Sequence, residues 1–202
     1  MDYDPRSEPH NLKHDPSTCL VVPRPIGWIT TISPSGVVNL APYSFFNLVS
    51  TRPHFVMFSS SGRKHSQRNA EHSGEFVFNL ATWDLRVEMN ITGSDHREDV
   101  SEAELAGLEM VPSKVVKPPR VKRSPITLEC LYNKTVEMVS KDGTKNKSSL
   151  VLGEVIRVHI DDSVIVDGMI DMARIRPLSR LGYMDFSAVD TVFEMKRVPA
   201  QT

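Results

Sequence analysis

The residues with chemistry to offer gather between Asn39 and Lys64. The stretch NLAPYSFFNLVSTRPHFVMFSSSGRK sets Asn39, Tyr43, Ser44 and Asn47 before an apolar run, His54 to Phe58. Ser59, Ser60, Ser61, Arg63 and Lys64 follow it. A short apolar run of this kind reads as a strand that a small domain buries. Hydroxyls, amides and bases at its two ends seek an anion. A phosphate monoester carries about −1.5 to −2 charges and offers three strong acceptor oxygens. Hydroxyls, a guanidinium and the backbone N–H groups that open a helix hold such a group well. Ser59-Ser60-Ser61-Gly62-Arg63-Lys64 supplies that set where a strand leads into a helix. A solvated polar loop is the plainer alternative. Ile29-Thr30-Thr31-Ile32 adds two hydroxyls, which β propensity alone also explains. Asn39 to Phe46 presents amide, hydroxyl and aromatic groups in succession, although Phe45 and Phe46 equally suit a core. Together the three stretches suit a ligand with a phosphate, a polyol and a flat ring.

Other chemistries leave no mark. There is no GxGxxG after a strand, no GxxxxGK[ST], no HExxH and no GxSxG elbow. The seven histidines (His10, His14, His54, His65, His72, His96, His159) show no tight ligand spacing. His65 and His72 share a face of an expected helix and read as surface histidines, so no metal site is expected. No residue is marked as a catalyst.

The elements that position these groups are short. Of 202 residues, 40% are hydrophobic and 24% charged, with a formal net charge of −1, as in an ordinary single domain. That balance argues against nucleic acid. No apolar run approaches the roughly 20 residues that span a bilayer, and no signal peptide is visible. Cys19 and Cys130 form no CxxC pair and read as reduced thiols in a cytoplasmic protein. Residues 1–17 read as an N-terminal arm, 18–185 as one domain and 186–202 as a C-terminal tail. IGWITTI, the turn Ser33-Pro34-Ser35-Gly36 and VVNLAPY predict a hairpin. HFVMFSS and EFVFNLA are the next strands, with a helix over Lys64 to His72 between them, stopped by Gly74. Asp84 is placed to cap a helix over Leu85 to Ile91, and Ser101 to Glu104 is a capping-box pattern. Val111 to Pro125 reads as an extended basic loop. ITLECLYNKTVEMVS and VLGEVIRVHI are strands, and Ile170 to Tyr183 a helical turn followed by a loop. Tight turns without long helical crossovers predict a mainly β, antiparallel sheet, and a partly closed barrel buries it economically.

PRPIGWITTISPSGVVNLAPYSFFNLVSTRPHFVMFSSS, then GEFVFNL, resembles the flavin reductase-like family of FMN-binding split-barrel proteins. The similarity runs on through EMN, ELAGLEMVPSKVVKPPRV, SPITLEC and VLGEVIRVHI to RPLSRLGY, covering about residues 18 to 185. The resemblance implies a six-stranded antiparallel split β-barrel of Greek-key type with a few short peripheral helices. It implies a homodimer with FMN at the subunit interface. Carried over, Thr30 and Thr31 contact the flavin and its chain, and Asn39, Ala41, Pro42, Tyr43, Ser44 and Phe45 line the ribityl and ring site. Ser59, Ser60 and Ser61 with Arg63 or Lys64 hold the phosphate, completed by His65, Ser66 and Asn69. Arg180 and Tyr183 approach the flavin. Many relatives carry a Lys-Asp-Thr-like helix start where this chain has Gly62-Arg63-Lys64-His65-Ser66; Arg63 is favoured for its bidentate geometry.

The function implied is a flavin reductase, moving hydride from NADH or NADPH to FMN, with a partner oxygenase or other electron acceptor downstream. A non-enzymatic FMN-binding electron carrier or sensor is the alternative, and a haem-binding barrel a more distant one. Trp28 covers the ring or belongs to the core. The basic Lys114 to Arg123 loop reads as solvated.

Overall fold

β-Branched and aromatic residues in short alternating runs build the sheet. Its strands are β1 (Gly27–Ile32), β2 (Val38–Tyr43), β3 (Phe46–Thr51), β4 (His54–Ser61), β5 (Glu75–Leu80), β6 (Ile126–Val139) and β7 (Lys145–Ile160). The computed structural model describes residues 1–198. The seven strands lie in the order β2-β1-β5-β6-β7-β4-β3, every neighbouring pair antiparallel. The resemblance implies six strands, and this sheet has seven. β3 is the strand the sequence hides: it is an edge, pairs with β4 alone and buries only Phe46.

β2 and β3 are the two edges of this sheet, yet only Ser44 and Phe45 separate them in the chain. The sheet must therefore curl until its edges meet at that corner. The Ser59 N–H donates to the Phe45 carbonyl at 2.8 Å, and the Phe46 ring stacks on Phe78 of β5 at 4.6 Å. No ladder joins β2 to β3, so the barrel is split there. Gly27 permits the closure, because a Cβ on it would lie 2.3 Å from the Phe46 ring.

Two cores result. One fills the curled sheet with Ile29, Val56, Phe58, Phe76, Phe78 and Val151. The other lies outside β1, where Trp28, Leu40, Leu85, Met89 and Val121 pack. Trp28 is fully buried and its indole N–H donates to Thr92 Oγ1 at 2.8 Å, so it is a core residue and covers no ligand.

Helix α1 (His65–Ser73) ends at Gly74 with φ 74°, the left-handed stop that its sequence announces. The next helix differs from the expectation. A 3₁₀ turn at Trp83–Leu85 precedes α2 (Arg86–Ile91), and Asp84 sits within that turn without capping anything. The capping box fails too. Ser101 makes no side-chain cap to α3 (Glu102–Leu105). The Glu102 carboxylate, outside that pattern, accepts the Leu40 N–H at 3.0 Å. The loop 111–125 is not free: Met110–Val111 pairs with Arg120–Val121. β7 begins at Lys145, ahead of the expected Val151, because it extends the hairpin with β6. After α4 (Met172–Ile175), Leu178–Arg180 pairs with both Arg24–Pro25 and Phe186–Ala188, so strand structure continues past residue 185. The last four residues of the expected tail, 199–202, lie outside the described residues. Both cysteines are free. Among the described residues no helix is long and apolar enough to cross a membrane, and no cluster of His, Cys, Asp or Glu could hold a metal ion.

Candidate functional site

β2, the start of α1 and the turn after α2 enclose a cavity of about 360 Å³. From the predicted set it gathers Asn39, Ala41, Pro42, Tyr43, Arg63, Lys64, His65 and Ser66. The positioning is local in origin. Gly62, at φ 70°, turns the chain from β4 into α1, so that the bases of Gly62-Arg63-Lys64 meet the helix N-terminus. That terminus has no side-chain cap and no acidic residue in its first turn. Its orphan N–H groups favour an anion.

Behind the wall runs a buried polar relay. Asn39 Nδ2 donates to Ser66 Oγ at 2.8 Å and to Thr31 Oγ1 at 3.3 Å, and Asn69 Nδ2 donates to the same Thr31 hydroxyl at 3.2 Å. Thr31 and Asn69 thus brace the cavity without lining it. Thr30 lies on the opposite face of β1, fully buried, and accepts from Asn79 Nδ2 at 2.8 Å. Consecutive strand residues point to opposite faces, so the two threonines cannot serve one ligand from the same side.

The same rule divides the serines. Ser60 points inward and donates to the Gly62 carbonyl at 2.8 Å, fixing the turn. Ser61 is exposed, and Ser59 borders a different, apolar cavity of about 420 Å³ with Phe45, Val21 and Met57. None of the three lines the first cavity.

The two bases after Gly62 are already engaged. Arg63 pairs with Glu71 at 2.6 Å, and Lys64 with Asp95 at 2.7 Å. Lys64 holds the Asp95 carboxyl below its usual range through its hydrogen bond and charge. Burial raises the Tyr43 phenol above its ordinary value, against the pull of the Ser66 and Ser60 hydroxyls, so it stays a neutral donor. Its ring packs on Phe58 at 4.8 Å.

The remaining wall was not foreseen. Thr92, Gly93, Ser94, Asp95 and His96, with Arg68 and Glu102, complete the cavity. Their only sequence signal is the Gly-Ser turn after α2. A second cavity, of about 340 Å³, adjoins the first across Pro42, Gly93 and Ser94, and Ser44 and Arg180 lie in it. Tyr183 is exposed, at φ 49°, beside His14, and lines neither cavity.

The fold is a split antiparallel barrel with an uncapped helix terminus beside a polar and aromatic wall. Residues 19–175 match the family described as flavin reductase like domain, and the chain belongs to that family. It is 36% identical to an uncharacterized protein of Aquifex aeolicus, over 81% of this chain and 83% of that one. Nitrilotriacetate monooxygenase component B from Bacillus cereus superposes with a TM-score of 0.87 at 29% identity, over 96% of this chain and 98% of that one. The Pseudomonas fluorescens 2-nitrobenzoate 2-nitroreductase NbaA gives 0.84 at 26%, over 98% and 96%.

Proposed function

We propose that the protein binds FMN in the first cavity and works as an NAD(P)H-dependent flavin reductase. One observation carries this reading: the uncapped start of α1, flanked by Arg63 and Lys64, opens onto the same cavity as Asn39 to Tyr43. The donor set fits the cofactor. Helix N–H groups with Arg63, Lys64 and Ser66 take the phosphate, and Asn39 and Tyr43 offer hydrogen bonds farther along. When bound, FMN supplies the hydride chemistry, accepting hydride from the nicotinamide. The chain's own task is to hold, orient and shield. Thr31 and Asn69 fix Asn39 and Ser66, and Pro42 and Gly93 shape the wall.

Two copies are proposed to assemble. Leu20, Val21, Phe45, Leu48 and Val49 are all 46–74% exposed. Val21 and Phe45 border the apolar cavity, and β3 leaves one edge unpaired. The similarity to a monooxygenase component B supports a partner oxygenase as the consumer of reduced flavin.

Anaerobic absorbance titration of the FMN-loaded protein with NADH, and separately NADPH, tests the reading. Prompt bleaching of the bound flavin is expected, and the faster nucleotide is the reductant. Flavin that stays oxidised with both would establish the carrier reading instead.

A further inference from the structure

A cleft of about 260 Å³ lies between the 3₁₀ turn at Trp83–Leu85, the end of the loop 111–125 and the segment from Asp161 to Ile175. It shares no residue with the first or the second cavity. Leu85, Val164 and Ile175, all buried, give it an apolar floor. Its exposed rim carries both signs of charge, with Lys122, Arg123 and Arg174 against Asp84 and Asp161.

These charges do not neutralise one another. Among the described residues no ion pair crosses the cleft, and Asp84 and Arg174 take part in none at all. Lys122 and Arg123 pair outside it, with Glu109 and Glu88, each at 2.6 Å. Arg123 Nη2 also donates to the Asp84 carbonyl at 3.3 Å. Ser163 holds one group of each sign. Its carbonyl accepts from Arg174 Nη1 at 2.7 Å, and its N–H donates to Asp161 Oδ1 at 2.8 Å. The donors of Ser163 keep the Asp161 carboxyl below its usual range, so it stays ionised. Groups fixed before a ligand arrives lower the cost of binding it.

Opposite charges that share so small a cleft and stay apart suit a ligand that carries both. A simple anion would face Asp84 and Asp161, and a simple cation would face three bases. Like charges brought together in this way oppose binding. The volume lies below the roughly 300–1,000 Å³ of drug-sized ligand pockets, too little for a nucleotide. We propose that this cleft binds a small zwitterion of the α-amino acid class. Its carboxylate would lie on Arg174 and Arg123, its ammonium on Asp84 and Asp161, and an aliphatic side chain on the floor of Leu85, Val164 and Ile175. The inference does not rest on flavin binding.

L-Valine is the probe, titrated by calorimetry into the full chain at neutral pH. Two half-analogues accompany it: 3-methylbutanoate, which lacks the ammonium, and valinamide, which lacks the carboxylate. Valine should bind the wild type about tenfold more tightly than either half, the scale of one charge-assisted hydrogen bond. Arg174→Ala should weaken valine by a similar factor and leave valinamide no weaker. Asp84→Asn should weaken valine likewise and leave 3-methylbutanoate no weaker. Thermal melts check that each variant folds. Valine that fails to bind the wild type, that binds no better than one of its halves, or that keeps its affinity in either variant overturns the proposal. Valine binding of the expected pattern in protein that retains no FMN would leave the zwitterion site standing and the flavin reading refuted.

Discussion

Arg63 and Lys64 are neighbours with different commitments. Arg63 meets Glu71 through both Nε and Nη2, at 2.7 and 2.6 Å. Lys64 meets Asp95, whose side chain is 82% exposed. If both bases face the FMN phosphate, Arg63→Ala should weaken FMN about tenfold, the scale of one charge-assisted hydrogen bond. Riboflavin, which lacks the phosphate, should be unaffected; fluorescence titration of the two flavins compares them, and equal losses would remove the phosphate role. Asp95→Asn should act in the other direction. It takes a negative charge from the cavity wall and frees Lys64, so FMN should bind roughly two- to fivefold more tightly, a small effect because the pair is exposed. Asp95 also shows where residue-level reading of the sequence stops. Arg63, Lys64 and Ser66 were legible because strand, turn and helix follow one another in the chain. Thr92 to His96 reach the same cavity only through the burial of Trp28 and Met89, which no local pattern records.

Elements repeat that lesson. The hairpin of β1 and β2 and the helix ending at Gly74 follow from turn residues and periodicity, and the structure has both. β3 escaped because an edge strand with one buried residue has no apolar face to show. Its place is fixed instead by Phe46 lying over Gly27. Gly27→Ala should therefore destabilise the fold by about 1–3 kcal/mol through overpacking, and should loosen the corner beside the site. Thermal or urea unfolding measures the first effect and FMN titration the second. The loop 111–125 is tied down by another long-range device. Glu129, fully buried, accepts the N–H groups of Lys114 and Val115, each at 2.7 Å, and of Val116 at 3.2 Å, and it meets His159 Nε2 at 2.5 Å. Burial alone would raise its pKa, but these donors outweigh burial and hold it below the ordinary value. The stabilisation is then complete above the unfolded pKa of about 4.3 and is lost as pH falls through the lowered folded value. Glu129→Gln should cost about 2 kcal/mol at neutral pH, and its unfolding curve should change less than the wild type's as pH falls from about 5 to about 3, through the unfolded pKa and toward the lowered folded one. Parallel pH-dependent melts of the two proteins would show it.

At the scale of the whole molecule, the fold class follows from tight turns and missing crossovers, whereas the proposed pairing between copies rests on exposure. Leu48 and Val49 on β3 are 46% and 50% exposed. Val49→Lys should shift a dimer toward monomer in sedimentation velocity, and FMN affinity should fall with it if the cofactor lies between subunits. An unchanged sedimentation coefficient would place the interface elsewhere.

The two-residue corner at Ser44–Phe45 has a consequence for how the protein is made. β2 and β3 leave the ribosome almost together, yet they take the two ends of the sheet, with five strands between them. Two of those five, β6 and β7, start at residues 126 and 145. The edges can therefore meet only after the distant half of the chain has been synthesised and has threaded between them, an ordering that makes folding dominated by non-local pairing slow. Closure of the sheet is therefore a late step, although the residues that line the first cavity, all between Asn39 and Glu102, are made before it.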